Sequence, residues 1–416
     1  MTIMKYSLIL LQTIVFLFAA EIKSQDSLTI DQLQPITYTF KIENGVLSGK
    51  GANFIKKELS NAQFTMLGEY HDSKRISEFT EALIPFLDSC GYKTLVTEVG
   101  PISGQILNTL DGNIKEELHS LLNRYKVEEE NDINPPFPFF EHVEDAAFLS
   151  KAKDQNWTIL GIDQEYVFCH QLLIDQMYQN LNINQKKSIN NLYENVLDSI
   201  ESYNQLEIKG LQKLSISIKE SEIIRDFINQ ASINEINRDI ADAFYASNHI
   251  YWLYANRQWY ENNATRISYM KSQLRKQLEE HNFDIRRDKL LVKMGSYHLS
   301  RGFSPLALHE VGNTLSELAS YHGNESLNIA FSLRYYNENG IIQDILDSDA
   351  EYRLRLKDLL KMGKKDEWVV IDLRPMIKGH FYGPVKFKFN KYVEDLVKRY
   401  DLLVIPMTDE DPTRNY

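Results

Sequence analysis

The chain has very little cysteine, with only Cys90 and Cys169 among its 416 residues. Two cysteines exclude a disulfide framework of the kind that supports small secreted domains. A single bridge and two separate buried thiols are both compatible with the sequence. The hydrophobic content of 43% is high enough for a chain of this length to form a large core without covalent links.

Positive charge is scarce relative to negative charge. The chain has 46 Lys and Arg against 58 Asp and Glu, which gives a formal net charge of −12 at pH 7. A protein this acidic lacks the broad positive surface on which nucleic-acid binding depends. We therefore expect no nucleic-acid partner, and a small-molecule or peptide substrate instead.

Long apolar runs are absent beyond the first residues, so we expect no stable membrane span once the N-terminal segment is removed. In that segment Lys5 precedes an apolar stretch from Ser7 to Ala20, and small residues follow up to Ser24. This pattern is typical of a secretory signal peptide, here residues 1–24, and the stretch is too short to cross a bilayer. The pattern predicts an exported protein, either periplasmic or extracellular.

Several well-known catalytic and cofactor signatures are missing as well. The sequence contains no Gly-x-Ser-x-Gly elbow, no phosphate-binding loop, no Gly-x-Gly-x-x-Gly and no His-Glu-x-x-His. An enzyme built on this chain would therefore activate water through a histidine or a metal, without a covalent serine step.

A short motif, Gly-x-x-His, occurs twice. The two copies are Gly68-Glu69-Tyr70-His71 and Gly295-Ser296-Tyr297-His298, and each follows a short apolar run. Short apolar runs bounded by glycine fit buried strands of a parallel sheet. Because ligands bind outside the carboxyl ends of strands in open α/β sheets, the two motifs are predicted to form one site.

Two further strand-like runs end in acidic residues, Glu98 in the run 94–100 and Asp163 in the run 157–163. An amphipathic helix between the first motif and the run 94–100 makes a strand, helix, strand unit, which favours parallel pairing. Three more apolar runs lie at 327–333, 368–373 and 402–407. The sheet is thus expected to have at least six or seven strands.

The predicted fold class is α/β, with a mainly parallel central sheet flanked by helices and a large helical insertion. Residues 25–60 form a polar lead-in, and residues 61–416 form a single α/β domain. Few glycines or prolines interrupt the stretch of about 165–285, which is mostly helical in pattern. This stretch is the predicted insertion between the third and fourth strands.

The candidate site consists of ionisable side chains that four predicted strands deliver to one edge of the sheet. A cation is expected from Arg238, which opens a helix; an ion pair with Asp242 at i+4 is the alternative for that residue. The candidate catalytic residues are His71, Glu69, Glu98, Arg238 and His298, and the candidate substrate-binding residues are Tyr70, Asp163 and Tyr297.

In these residues the chain resembles the erythromycin-esterase-like superfamily, whose relatives include the ChaN-type iron-uptake proteins and the Tiki and TraB-type proteins, which are classed as metalloproteases. The resemblance covers about residues 60 to 335. It rests on five segments that occur in the family's order: Leu67 to Asp72, Thr97 to Gly100, Gly161 to Asp163, Asn237 to Asp239 and Met294 to Arg301.

The resemblance implies roles for particular residues. A Glu and a His of the family's first motif are thought to activate water, which carries over to Glu69 and His71. The family's helix motif usually reads Arg-Asp-x-x-Met-Ala; Arg238 and Asp239 match its start, and Asp242 stands where Met is usual. The Tiki and TraB branch implies a divalent metal, and the ChaN branch implies haem or iron.

Three hypotheses follow for the function. In the first, His71, oriented by Glu69 or Glu98, activates water against an ester or amide carbonyl, with His298 as second acid/base and Arg238 stabilising the oxyanion. In the second, His71, His298 and Glu98 hold a divalent metal for the same hydrolysis. In the third, the protein binds haem or iron through Tyr70 or Tyr297 and the histidines, without catalysis. No cofactor is favoured.

Overall fold

A computed structural model describes residues 28–129, 133–348, 350, 354–383 and 387–416. The predicted signal peptide lies outside the described residues. Within them, no helix combines the length and the apolar character needed to cross a membrane.

The described residues contain fourteen strands and sixteen α-helices. The strands are β1 Thr37–Glu43, β2 Val46–Ser48, β3 Ala62–Glu69, β4 Tyr92–Thr97, β5 Val127–Glu128, β6 Ile133–Asn134, β7 Thr158–Gly161, β8 Lys289–Gly295, β9 Glu325–Phe331, β10 Tyr335–Glu338, β11 Ile341–Asp344, β12 Trp368–Asp372, β13 Leu402–Ile405 and β14 Asp409–Glu410. The helices are α1 Ile30–Leu33, α2 Lys50–Asn61, α3 Lys74–Ser89, α4 Pro101–Thr109, α5 Ile114–Tyr125, α6 Val143–Asp154, α7 His170–Gln179, α8 Ile183–Ile208, α9 Leu214–Glu220, α10 Glu222–Ala231, α11 Glu235–Ala255, α12 Trp259–Glu280, α13 Val311–Tyr321, α14 Lys357–Leu360, α15 Arg374–Phe381 and α16 Lys391–Arg399. Short 3₁₀ helices cover Gln34–Ile36, Ser296–Leu299 and Ile345–Asp347.

The centre of the fold is a sheet in which nine of the described strands have the order β2-β1-β12-β13-β9-β3-β8-β4-β7. From β13 to β7 every neighbouring pair is parallel, while β12, β1 and β2 pair antiparallel at the other side. The predicted α/β class and the mainly parallel sheet are confirmed. The strand, helix, strand unit of β3, α3 and β4 is also present, but β8 lies between the two strands.

Both faces of the central strands are buried, which is why their sequences are continuously apolar instead of alternating. On one face Leu67 and Leu291 belong to a core that includes Phe79 of α3 and Phe148 of α6. On the other face the neighbouring residues of β3 and β8 pack against α12 and α13. The sheet is thus covered on both sides, and its carboxyl edge is the place where polar side chains gather.

Six helices, α7 to α12, lie between β7 and β8. They occupy the part of the chain predicted as the helical insertion. That this insertion belongs to a single domain of residues 61–416 stays a prediction. The sequence left open whether the two cysteines form a disulfide. Both are free thiols: Cys90 follows α3, and Cys169 is buried at the start of α7.

Candidate active site

Glu69 is the last residue of β3, and its buried carboxylate lies between the ammonium of Lys293 and the imidazole of His71. Its Oε2 lies 2.5 Å from Lys293 Nζ of β8, and its Oε1 lies 3.4 Å from His71 Nδ1. Burial works against the charged form, but Lys293 and His71 outweigh it and lower the pKa of Glu69. The result is a fixed anion that orients the His71 ring.

His71 is the exposed member of this group, with 40% of its side chain accessible. Burial lowers the pKa of His71, but the hydrogen bond with Glu69 and the charges of Glu98 and Glu69 raise it by more than burial lowers it. The pKa is therefore above its ordinary value. With Nδ1 facing Glu69, the Nε2 atom is left to face the site. The ring also lies against Phe139, with 4.5 Å between ring centroids.

Glu98, just past the end of β4, contacts the second motif at two residues. Its Oε2 accepts a hydrogen bond from the Gly295 backbone N–H at 2.5 Å, and its Oε1 lies 3.4 Å from His298 Nε2. His298 Nδ1 lies 3.1 Å from Glu310 Oε2, so this buried imidazole is held between two carboxylates. Burial lowers the pKa of His298, but the charge of Glu98 and the bond to Glu310 raise it above its ordinary value.

Arg266 of α12 supplies the guanidinium of the site. It donates through Nε to Asp163 Oδ1 at 2.9 Å and through Nη2 to Asp163 Oδ2 and to Glu98 Oε1, the latter at 3.0 Å. Both carboxylates are buried, so the pair is a charge-assisted fork of the strong kind. These bonds use Nε and Nη2, and Nη1 makes no hydrogen bond within the described residues, so its donors are available to a ligand.

The register between β3 and β8 explains how the two motifs meet. Glu69 lies opposite Gly295, so the second motif is shifted by one residue relative to the first. A Cβ atom on residue 295 would come within 2.9 Å of His71 Nε2 and 3.2 Å of Glu98 Oε2. The absence of a side chain at Gly295 therefore allows His71 and Glu98 to face the same space.

A cleft of about 510 Å³ opens beside this group. Its lining includes Glu98, Asp163 and Arg266 of the group but neither His71 nor His298, and the other lining residues come from the loop before α6 and from the segment between β7 and β8. Its volume lies in the range of small-molecule sites. The aromatic lining residues are Phe139, Tyr166, Phe168, Tyr251, Tyr254 and Trp259.

The structure brings Glu69, His71, Glu98, Asp163 and His298 to one edge of the sheet, and their catalytic and substrate-binding roles stay predictions. It does not bring Arg238 to them. Arg238 is exposed in the first turn of α11, where its neighbour Asn237 is fixed by bonds to the carbonyls of Met177 and Ala231.

The two tyrosines of the motifs are placed differently from each other. Tyr70 donates from its hydroxyl to Asp409 Oδ2 at 2.6 Å, and burial together with the Asp409 charge raises its pKa well above the ordinary value. Tyr297 is exposed on the 3₁₀ helix that carries His298. Substrate binding by either residue stays a prediction.

Sequence reasoning missed Lys293, Arg266 and Glu310. A signal existed for the first two. Lys293 interrupts the apolar run of β8, and a charge inside a buried strand requires a partner. Arg266 is followed four residues later by Met270, which is the Arg-to-Met spacing of the family's helix motif that Arg238 lacks. Glu310 had no comparable signal, because nothing in its local sequence points to His298.

The sequence matches no protein-family profile and no curated protein. Among solved structures, a succinoglycan biosynthesis protein superposes with a TM-score of 0.54 and 16% identity, over 93% of this chain and 97% of that one. A mutant of the erythromycin esterase EreC in its open conformation gives 0.53 and 14% identity, over 90% of this chain and 98% of that one.

ChaN of Campylobacter jejuni with cofacial haem gives a TM-score of 0.30 at 12% identity, over 71% of this chain and 91% of that one, which is too low to support an argument. The likeness to EreC extends over nearly the whole of both chains and shows a common architecture. The chain therefore has the erythromycin-esterase-like α/β fold that its motifs predict.

Proposed function

We propose that this protein is a hydrolase in which His71 activates water for attack on an ester or amide carbonyl. The observation that carries the proposal is the placement of Glu69, His71, Glu98 and Arg266 at one sheet edge, where Glu98 and Arg266 line a cleft of about 510 Å³. General-base hydrolysis needs an oriented imidazole, a donor for the oxyanion and a cavity for the substrate.

Each group has a role in this mechanism. Neutral His71 takes a proton from water through Nε2, while Glu69 holds Nδ1 and stabilises the imidazolium that forms. The Nη1 donors of Arg266 stabilise the oxyanion. The imidazolium of His71 then returns its proton to the leaving group, while His298, whose two nitrogens face Glu98 and Glu310, holds Glu98 in place.

Two observations make the alternatives less favourable. Both oxygens of Glu98 already accept hydrogen bonds, from Arg266 and from the Gly295 N–H, so a metal held by His71, His298 and Glu98 would have to displace them. For haem, a tyrosinate ligand at Tyr70 is opposed by its raised pKa.

The proposal extends to location and substrate. We infer export to the periplasm or the exterior from the N-terminal sequence pattern, with a small molecule or peptide as substrate. Most residues that line the cleft belong to the segment between β7 and β8, so this segment is proposed to select the substrate.

The test is hydrolysis of a panel of simple esters and amides by the purified protein. His71→Ala should lower the rate by about 10²- to 10⁴-fold, the usual contribution of a general base. His249→Ala, at an exposed position of α11, is the matched control and should keep full activity. Activity retained in His71→Ala would overturn the assignment.

Metal dependence is decided by the same panel. Protein treated with a chelator should keep its activity if water is activated by His71 alone. Activity that disappears on chelation and returns with Zn²⁺ would favour the metal mechanism. A shifted Soret band on titration with haemin would favour the haem binder.

A further inference from the structure

We propose that Asp72, Glu141 and His142 form a binding site for a divalent transition-metal ion, separate from the catalytic group. Within the described part of the chain, they are the group of His, Cys, Asp and Glu side chains whose ligand atoms all lie within 4.8 Å of one another. They line a second cavity of about 500 Å³, next to the substrate cleft.

His142 is oriented as metal-binding histidines usually are. Its Nδ1 lies 3.0 Å from Oδ2 of the buried Asp145, whose Oδ1 accepts a hydrogen bond from Ser77 at 2.7 Å. A carboxylate behind the distal nitrogen fixes the tautomer and strengthens the nitrogen that faces the metal. Asp145 thus stands where a metal site would place its supporting carboxylate.

The second nitrogen of His142 is available for a ligand. The residue is only 9% exposed, and its Nε2 lies 3.8 Å from Glu141 Oε1, which is too far for a hydrogen bond. Among the described residues, Nε2 makes no hydrogen bond. The nitrogen lines the second cavity and is therefore open to a ligand that also contacts the two carboxylates.

The carboxylate of Glu141 is likewise open to a ligand. It accepts no hydrogen bond from the residues that the structure describes, although 80% of the side chain is buried. Its charged neighbours are Asp72 and Asp145 and, with the opposite sign, His142 and Arg414. A bound dication would add positive charge between the carboxylates of Asp72 and Glu141.

The donor set determines the class of ion. One imidazole nitrogen and two carboxylate oxygens suit Zn²⁺ or Mn²⁺ better than Mg²⁺ or Ca²⁺, which prefer oxygen ligands alone. Three protein ligands leave positions for water. The ion would join Asp72, in the turn that follows His71, to the residues that begin α6.

The experiment is titration of the full-length, chelator-treated protein with Zn²⁺, Mn²⁺ and Mg²⁺ by calorimetry, with the melting temperature as a second readout. We expect one Zn²⁺ or Mn²⁺ per chain, weaker binding of Mg²⁺, and a rise in melting temperature. Asp145→Asn should weaken binding by about 10- to 100-fold, as loss of a supporting carboxylate usually does.

Two variants test the ligands directly. Glu141→Gln should abolish the metal-dependent rise in melting temperature, and His142→Asn, which keeps a donor for Asp145, should do the same. The metal-free Glu141→Gln protein should keep the melting temperature of the metal-free parent, because Gln has nearly the shape of Glu and the side chain makes no hydrogen bond among the described residues. This outcome distinguishes loss of a ligand from loss of the fold.

The control variant is Glu98→Gln, in the catalytic group. Zn²⁺ binding that persists in Glu98→Gln and disappears in Glu141→Gln supports the proposal. The opposite pattern would place the ion among His71, His298 and Glu98 and would overturn it, as would an unchanged stoichiometry in both Glu141→Gln and His142→Asn.

Discussion

Lys293 Nζ lies 2.5 Å from Glu69 Oε2, and this buried ion pair joins the two adjacent strands that carry the Gly-x-x-His motifs. Lys293 also lies over the Phe148 ring of α6, at 5.1 Å from its centroid. Because Glu69 in turn orients His71, the pair links the packing of the sheet to the proposed base.

Removal of Lys293 should destabilise the protein. Lys293→Met leaves Glu69 as a buried anion with His71 as its remaining partner, and breaking a buried pair in this way costs about 3–5 kcal/mol. Urea unfolding monitored by circular dichroism measures the change. The double variant Lys293→Met with Glu69→Gln should recover part of the loss, since it leaves no unpaired charge; a double variant that is less stable than the single one would contradict the pairing.

The activity should depend on pH through His71. The hydrogen bond with Glu69 and the nearby carboxylates raise the pKa of His71 above 6.5 despite burial, so the neutral base is lost as the pH falls through a value above 6.5. We expect the acid limb of kcat/KM to lie above that value. In Glu69→Gln the limb should move to lower pH while the rate falls. A limb that stays in place would argue against the Glu69–His71 coupling.

Stability should change with pH through His298. Its pKa is raised in the folded protein, mainly by the charge of Glu98 against the effect of burial. Its contribution to the free energy of unfolding is therefore fully present below pH 6.5 and lost as the pH rises through the higher folded value. His298→Gln should show a smaller decline in stability between pH 6 and 9 than the parent. Equal slopes would remove this explanation.

A side chain at position 295 should block the site. Gly295→Ala puts a Cβ at 2.9 Å from His71 Nε2, and a displacement of about 1 Å in a catalytic group costs on the order of 100-fold in rate. Ser296→Ala, at the next position, is the matched control because it adds no atoms. Steady-state kinetics on the ester panel measure both, and full activity in Gly295→Ala would show that His71 has room to move away.

The two candidate arginines can be compared directly. Arg266→Leu leaves Asp163 and Glu98 buried without their cation, so we expect a loss of about 3–5 kcal/mol in unfolding free energy. We also expect a rate at least about 100-fold lower, the usual cost of a lost oxyanion donor. Arg238→Leu, at an exposed position, should change stability by less than about 0.5 kcal/mol. Equal losses of rate in both variants would return Arg238 to the site.

The strands that end in ionisable side chains can be identified from the amino-acid sequence alone. Short apolar runs bounded by glycine specify buried strands locally, and parallel strands deliver their carboxyl ends to one edge whatever their order. This is sufficient to place Glu69, His71, Glu98, Asp163 and His298 together. It needs no knowledge of which strand lies beside which.

The hydrogen-bond and ion-pair partners of these residues, by contrast, depend on the tertiary structure. The insertion of β8 between β3 and β4 sets Lys293 against Glu69 and Gly295 beside Glu98, and α12 brings Arg266 from 103 positions along the chain to Asp163. The site of Asp72 and His142 depends in the same way on the packing of α3 against α6, in which Ser77 bonds to Asp145. Local patterns specify secondary structure, whereas these contacts depend on how distant elements pack, and no short-range signal encodes that.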